Sequence, residues 1–164
     1  MGKNRVIAAL GALALSVAAG CSPSAGTQEA PAQASAGVHP VSGLKVTDLT
    51  VTSGGKAHLF RVELAQTAEE QRQGLMFRTD LAPDEGMLFP RNPPDVASFW
   101  MKNTPLPLDI VFVGTDRRII NIAANTTPYS LEPVMAAGIT AAVLEIPGGR
   151  AAELGIAPGD AVEW

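Results

Sequence analysis

Over residues 41–164 the apolar side chains come in short runs, and Gly, Pro, Asn or Asp interrupts each run before it reaches the length of a core helix. That punctuation constrains the fold more than any other feature. Residues 44–52 alternate apolar and polar positions and are rich in Val and Thr. After Ser53-Gly54-Gly55, residues 56–65 alternate again. A period of two sends successive side chains to opposite faces of a strand, so the pair reads as a β-hairpin. In its second strand His58, Phe60, Val62 and Leu64 share one face, and Arg61 and Glu63 the other. Further strands are expected at 86–89, 97–101, 109–113, 119–123, 141–146 and 160–164.

Helical signals are few. Thr67 and Glu70 have the spacing of a capping box and predict a short helix over 68–73 that stops at Gly74. Residues 149–154 can form one or two turns closed by Gly155, and Pro158-Gly159 sets a turn into the last strand. Many short strands with two short helices predict a mostly antiparallel α+β domain with a partly closed, barrel-like sheet.

The first forty residues have a different composition. Lys3 and Arg5 precede an uncharged apolar stretch over 6–19 that ends in Ala18-Ala19-Gly20-Cys21. The stretch is shorter than the roughly 20 apolar residues of a spanning helix and matches the layout of an export signal. Ala18-Ala19-Gly20-Cys21 resembles the bacterial lipobox, which implies cleavage before Cys21 and its lipidation. Residues 1–20 are therefore expected to be a signal peptide. Residues 21–40, rich in Ala, Ser, Pro and Gly, are expected to be a flexible tether. The domain then spans 41–164, anchored to a membrane through the lipid, on the periplasmic side or at the cell surface. Cys21 is the single cysteine, so the domain has neither a disulfide nor a thiol nucleophile.

The chain's net charge of −4 becomes −6 when the two basic residues of the leader are removed, and no Lys/Arg cluster interrupts the domain. Nucleic acid is an unsuitable partner for such a surface. The domain is expected to be a monomer that meets a small-molecule or protein ligand.

From Phe60 onward the chain resembles a known family. The resemblance rests on Phe60-Arg61-Val62-Glu63-Leu64, Gly74-Leu75-Met76-Phe77-Arg78, Gly86-Met87-Leu88-Phe89, Phe99-Trp100-Met101-Lys102-Asn103-Thr104 and Pro107-Leu108-Asp109-Ile110-Val111-Phe112. It continues through Val143-Leu144-Glu145-Ile146-Pro147-Gly148-Gly149, Gly155-Ile156 and Gly159-Asp160. In order and spacing these motifs are similar to the family called domain of unknown function 192. The resemblance implies an exported domain and no assigned activity. Residues 129–139 depart from the family pattern, with Met135-Ala136-Ala137-Gly138 where an aromatic is usual.

Candidate site residues follow from chemistry. On an extended segment Phe99 and Met101 face one way and Trp100 and Lys102 the other. Trp100, Lys102 and Asn103 can line a concave site as a stacking face, a cation and an amide; the bland alternative makes them core, solvated cation and turn. Glu145 lies in an apolar strand and needs either a cation, with Arg78 and Lys102 the candidates, or a ligand. Asp109 reads as a turn cap first and as a second site carboxylate otherwise. Paired with Glu145 it would make the domain a hydrolase, the alternative to a non-catalytic binding domain. Met76, Met87, Met101 and Met135 are scattered and read as core, not as a copper site. His39 falls at the tether's end and His58 on a core face, so no metal or other cofactor is expected. Nucleophile elbows, phosphate-binding loops and zinc-protease motifs are absent.

Overall fold

The computed structural model describes residues 37–164. The expected signal peptide, Cys21 and the expected tether as far as residue 36 lie outside the described residues. Nine strands and two helices follow in the order β1 (Val46–Ser53), β2 (Lys56–Leu64), α1 (Ala68–Gln73), β3 (Glu85–Asp95), β4 (Ser98–Phe99), β5 (Leu108–Gly114), β6 (Ile119–Ala123), β7 (Val134–Met135), β8 (Thr140–Pro147), α2 (Arg150–Leu154) and β9 (Ala161–Glu163).

Seven strands form one sheet in the order β6-β5-β8-β3-β2-β1-β9, and β4 pairs with β7 in a separate two-stranded ribbon. The pairings in the large sheet are antiparallel except β2 with β3, which run parallel. The parallel pair requires a crossover, and α1 occupies it. The β1–β2 hairpin turns through Gly54 and Gly55, both at positive φ (56° and 79°), as a two-residue turn of matching twist demands.

The sheet curls enough to bring β9 beside the chain just before β6. β9 pairs with β1 on one side. On the other side Ala161 bridges Arg118, while Ile119 N–H donates to Asp160 and Val162 N–H to Arg117. The concave face encloses Leu49, Val51, Phe60, Val62, Leu88, Val111, Leu144, Ile146 and Val162, plugged by Ala151 and Ile156 from α2 and its end. The opposite face carries a second core of Met87, Phe89, Leu108, Ile110, Phe112 and Val143, covered by Leu75, Met101 and the β4–β7 ribbon. The protein is thus mostly β, a half-barrel with two short helices.

Strand 97–101 is shorter than expected: pairing ends at Phe99, because Lys102-Asn103 turns the chain, with Asn103 at φ 55°. β7 was not anticipated, since two residues leave no periodic signal. Met135 sits on it 51% exposed, so Met87 and Met101 are core residues and Met135 is not. Packing also begins before Val41. Val46 N–H donates to Gly37, and Val38 bridges Lys45.

Candidate functional site

Glu145 lies in the middle of β8, with Ile110 of β5 on one side and Met87 of β3 on the other. Cross-strand neighbours share a face, so its carboxyl projects with Met87, Ile110 and Val143 into the second core. It is 5% exposed. No hydrogen bond or ion pair reaches it from the described residues. Burial pushes its pKa up to about 8, so the carboxyl holds its proton at neutral pH. Such a group inside a sheet needs an outlet, and Glu145 has one: it lines a cleft of about 290 Å³ between α1 and the stretch from Ser98 to Thr104.

The walls of the cleft come from four parts of the chain: β3, β4, the segment after β4, and α1. β3 and β4 contribute Phe89 and Phe99, which meet edge to face at 5.0 Å between ring centroids. Phe99 also packs edge-on to Phe112, which braces it. The segment after β4 contributes Trp100, half exposed, and Lys102, whose Nζ lies 5.2 Å from the indole centroid. That distance is within cation–π range. α1 contributes Gln71, Arg72 and Gln73. Its capping box is present as expected, with Glu70 N–H donating to Thr67 Oγ1 and the Glu70 carboxylate accepting from Thr67 N–H. The helix stops at Gly74, where an added Cβ would stand 3.5 Å from the Phe89 ring.

The other polar groups of the wall are largely occupied. Gln71 Nε2 donates to the carbonyls of Ala65 and Pro90, and its Oε1 accepts from Arg91. Arg91 is held by Asp95 at 2.6 Å. Arg72 and Lys102 have no carboxylate partner among the described residues.

Trp100, Lys102 and Glu145 therefore converge on one cleft, while Asn103, Arg78 and Asp109 lie elsewhere. Asn103 takes the turn reading. Its carbonyl accepts from Phe77 N–H, and its amide lies 3.8 Å from Met76 Sδ. Arg78 does not balance Glu145. It pairs with Glu63 at 2.7 Å, and His39 Nε2 stands 3.6 Å from the same carboxylate oxygen. His39 thus packs against the domain and is not part of a free tether. Lys102 does not reach Glu145 either.

Asp109 is completely buried as a cap. Oδ1 accepts from Asn125 and Gly149 N–H at 2.6 and 2.9 Å, and Oδ2 from Ala151 N–H at 2.8 Å. It serves the first turn of α2, whose own N-cap is Gly149 with no side chain to offer. Asp109 pairs with Ile146, one residue from Glu145, so the two carboxyls occupy opposite faces of the sheet. The paired-carboxylate hydrolase fails on that geometry, because two groups separated by the sheet cannot flank one bond.

Sequence reasoning missed Arg72, Phe89 and Phe99 as wall residues. Arg72 carries no signal of its own, because its role depends on where α1 docks. Among the described residues no three His, Cys, Asp or Glu side chains gather where they could hold a metal ion.

The chain is similar in fold to two solved structures. One is a protein of unknown function from Novosphingobium aromaticivorans DSM 12444, with 62% identity, a TM-score of 0.79, and coverage of 80% of this chain and 94% of the other. The second, from Sinorhizobium meliloti 1021, is described as a candidate transcription regulator. It shares 38% identity and a TM-score of 0.71 over 73% of this chain and 94% of its own. No curated protein matches the chain. Residues 49–164 match the family DUF192, described as uncharacterized ACR, and on that match the chain belongs to the DUF192 family.

Proposed function

We propose that this protein is an exported, lipid-anchored, non-catalytic domain that binds a ligand in the cleft between α1 and the Trp100 segment. The observation that carries the reading is Glu145, a carboxyl 5% exposed, without a partner among the described residues and opening into a cleft with an aromatic wall. A buried polar group that the protein leaves unpaired is stabilised when a ligand supplies the partner. The cleft residues include no His or Cys and no second carboxylate, which favours binding over hydrolysis. The regulator description of the S. meliloti protein does not carry nucleic-acid binding here, since this chain has net charge −4.

Trp100 reports on occupancy once Trp164 is replaced by Phe, because these are the two tryptophans of the chain. A metabolite and glycan screen read by Trp100 emission should yield a ligand. Lys102→Ala should weaken its binding with a melt close to the parent's. If Lys102→Ala melts far below the parent and no compound perturbs Trp100, the cleft is scaffold and the reading is wrong. Anchoring is tested separately. Cys21→Ala should abolish incorporation of labelled lipid, and normal labelling of that variant would disprove the lipid anchor.

A further inference from the structure

The cleft has a charge pattern that selects among ligands. Its charged lining residues are Arg72 from α1, Arg91 from β3, Lys102 after β4, and Glu145 from β8. Asp95 neutralises Arg91, and the amide of Gln71 takes a further guanidinium hydrogen. Two cations, Arg72 and Lys102, remain at the exposed mouth of a protein whose net charge is −4. The next carboxylate along Glu145's row of the sheet is Glu63, beyond Met87, and it is held by Arg78 beside His39. The mouth is therefore positive, while the floor is a single carboxyl enclosed by Met87, Ile110 and Val143. Between them stand Phe89, Phe99 and Trp100.

We infer that the ligand is a small hydroxy- or oxo-carboxylate, with its carboxylate at Arg72 and Lys102 and its neutral oxygen hydrogen-bonded to Glu145 on the floor. This assignment rests on the ligand-binding reading above. An anion is drawn to the mouth, where water and two cations keep it solvated. Driving that charge down to an apolar floor costs far more than seating a hydroxyl or carbonyl oxygen there. The protonated carboxyl offers one O–H, which a neutral oxygen accepts. A cleft of about 290 Å³ lies at the lower end for small-molecule sites and holds one compact metabolite. An amine would meet the opposite arrangement, two cations at the entrance and no ionised carboxylate below.

Binding in this mode requires the proton on Glu145. With a pKa of about 8, only about a tenth of the protein holds it at pH 9, so affinity should fall about tenfold between pH 7 and pH 9. The experiment uses the intact chain carrying Trp164→Phe. It is titrated with hydroxy- and oxo-acids from pyruvate to phenylpyruvate and glucuronate, and with the matching neutral and amine compounds, each followed by Trp100 emission. The expected result is binding of acids, little or none of their neutral and amine counterparts, and a tenfold weakening at pH 9. Glu145→Gln keeps a neutral donor at the floor, so its affinity should be the same at pH 7 and pH 9. Replacing both Arg72 and Lys102 by Ala should lower acid binding at least tenfold without moving the melt. Neutral compounds or amines binding as well as the acids, or acid binding that strengthens with pH, would overturn the ligand class and leave the cleft a binding site. If no compound of the three kinds perturbs Trp100, the inference and the binding reading fall together.

Discussion

Replacing Glu145 by Gln should stabilise the protein, and increasingly so as the pH rises. The carboxyl is 5% exposed, sits among Met87, Ile110 and Val143, and has no partner among the described residues. Its pKa rises from the ordinary 4.5 to about 8 in the fold. An acid with a raised folded pKa binds more protons in the native state, so its contribution is most favourable at or below pH 4.5. That contribution is lost progressively as the pH rises towards 8 and is constant above it. At about 1.36 kcal/mol per pH unit, the loss is about 3 kcal/mol at pH 7 and about 5 kcal/mol above pH 8. Water entering the open cleft lowers both figures. Gln has the same shape and no charge to lose. Urea or thermal melts of parent and variant should therefore agree near pH 4.5 and diverge by pH 8, with the variant higher. A gap of 3 kcal/mol corresponds to about 10 °C in Tm for a domain of this size. If the two proteins show the same pH dependence, or if the variant is the weaker one at pH 8, Glu145 is a paired carboxylate and the reasoning about the cleft floor is wrong.

Asp109→Ala should cost about 3 kcal/mol in chemical denaturation, because it strands one buried and two part-buried backbone N–H donors, and Asp109→Asn should cost less. Arg78→Ala should cost about 3 kcal/mol, since it leaves Glu63 buried without its guanidinium and Glu63 Oε2 already lacks a partner; a near-neutral melt would mean that the pair does not hold the fold together there. Gly86→Ala should destabilise by about 1–3 kcal/mol, because an added Cβ runs into the Glu145 carbonyl on β8, and a parent-like melt would show that β3 and β8 can separate there. A chain beginning at Gly37 should melt above one beginning at Val41, because the shorter chain loses the Val38–Lys45 bridge and the His39 contact with Glu63.

Local features of this protein were legible residue by residue. The Thr67–Glu70 capping box, the stop at Gly74, the Gly54-Gly55 hairpin and the alternation that sends Phe60 and Glu63 to opposite faces each depend on chemistry within a few positions, which the linear order carries. So did the buried status of Met101 against exposed Trp100 and Lys102, although the strand itself ended at Phe99. The partner of each buried charge was not legible. Glu145 had Arg78 and Lys102 as plausible cations, yet Arg78 went to Glu63 and Lys102 to the indole of Trp100. Asp109 and Glu145 looked like a possible pair until strand pairing set them on opposite faces. The longer strands, the two short helices and their apolar faces follow from the amino-acid order, because those preferences are local and periodic, whereas the two-residue β7 leaves no such signal. That α1, Trp100 and Glu145 line one cleft is settled by three-dimensional packing, because it depends on a parallel β2–β3 pairing and a curled sheet whose contacts join residues far apart in the chain.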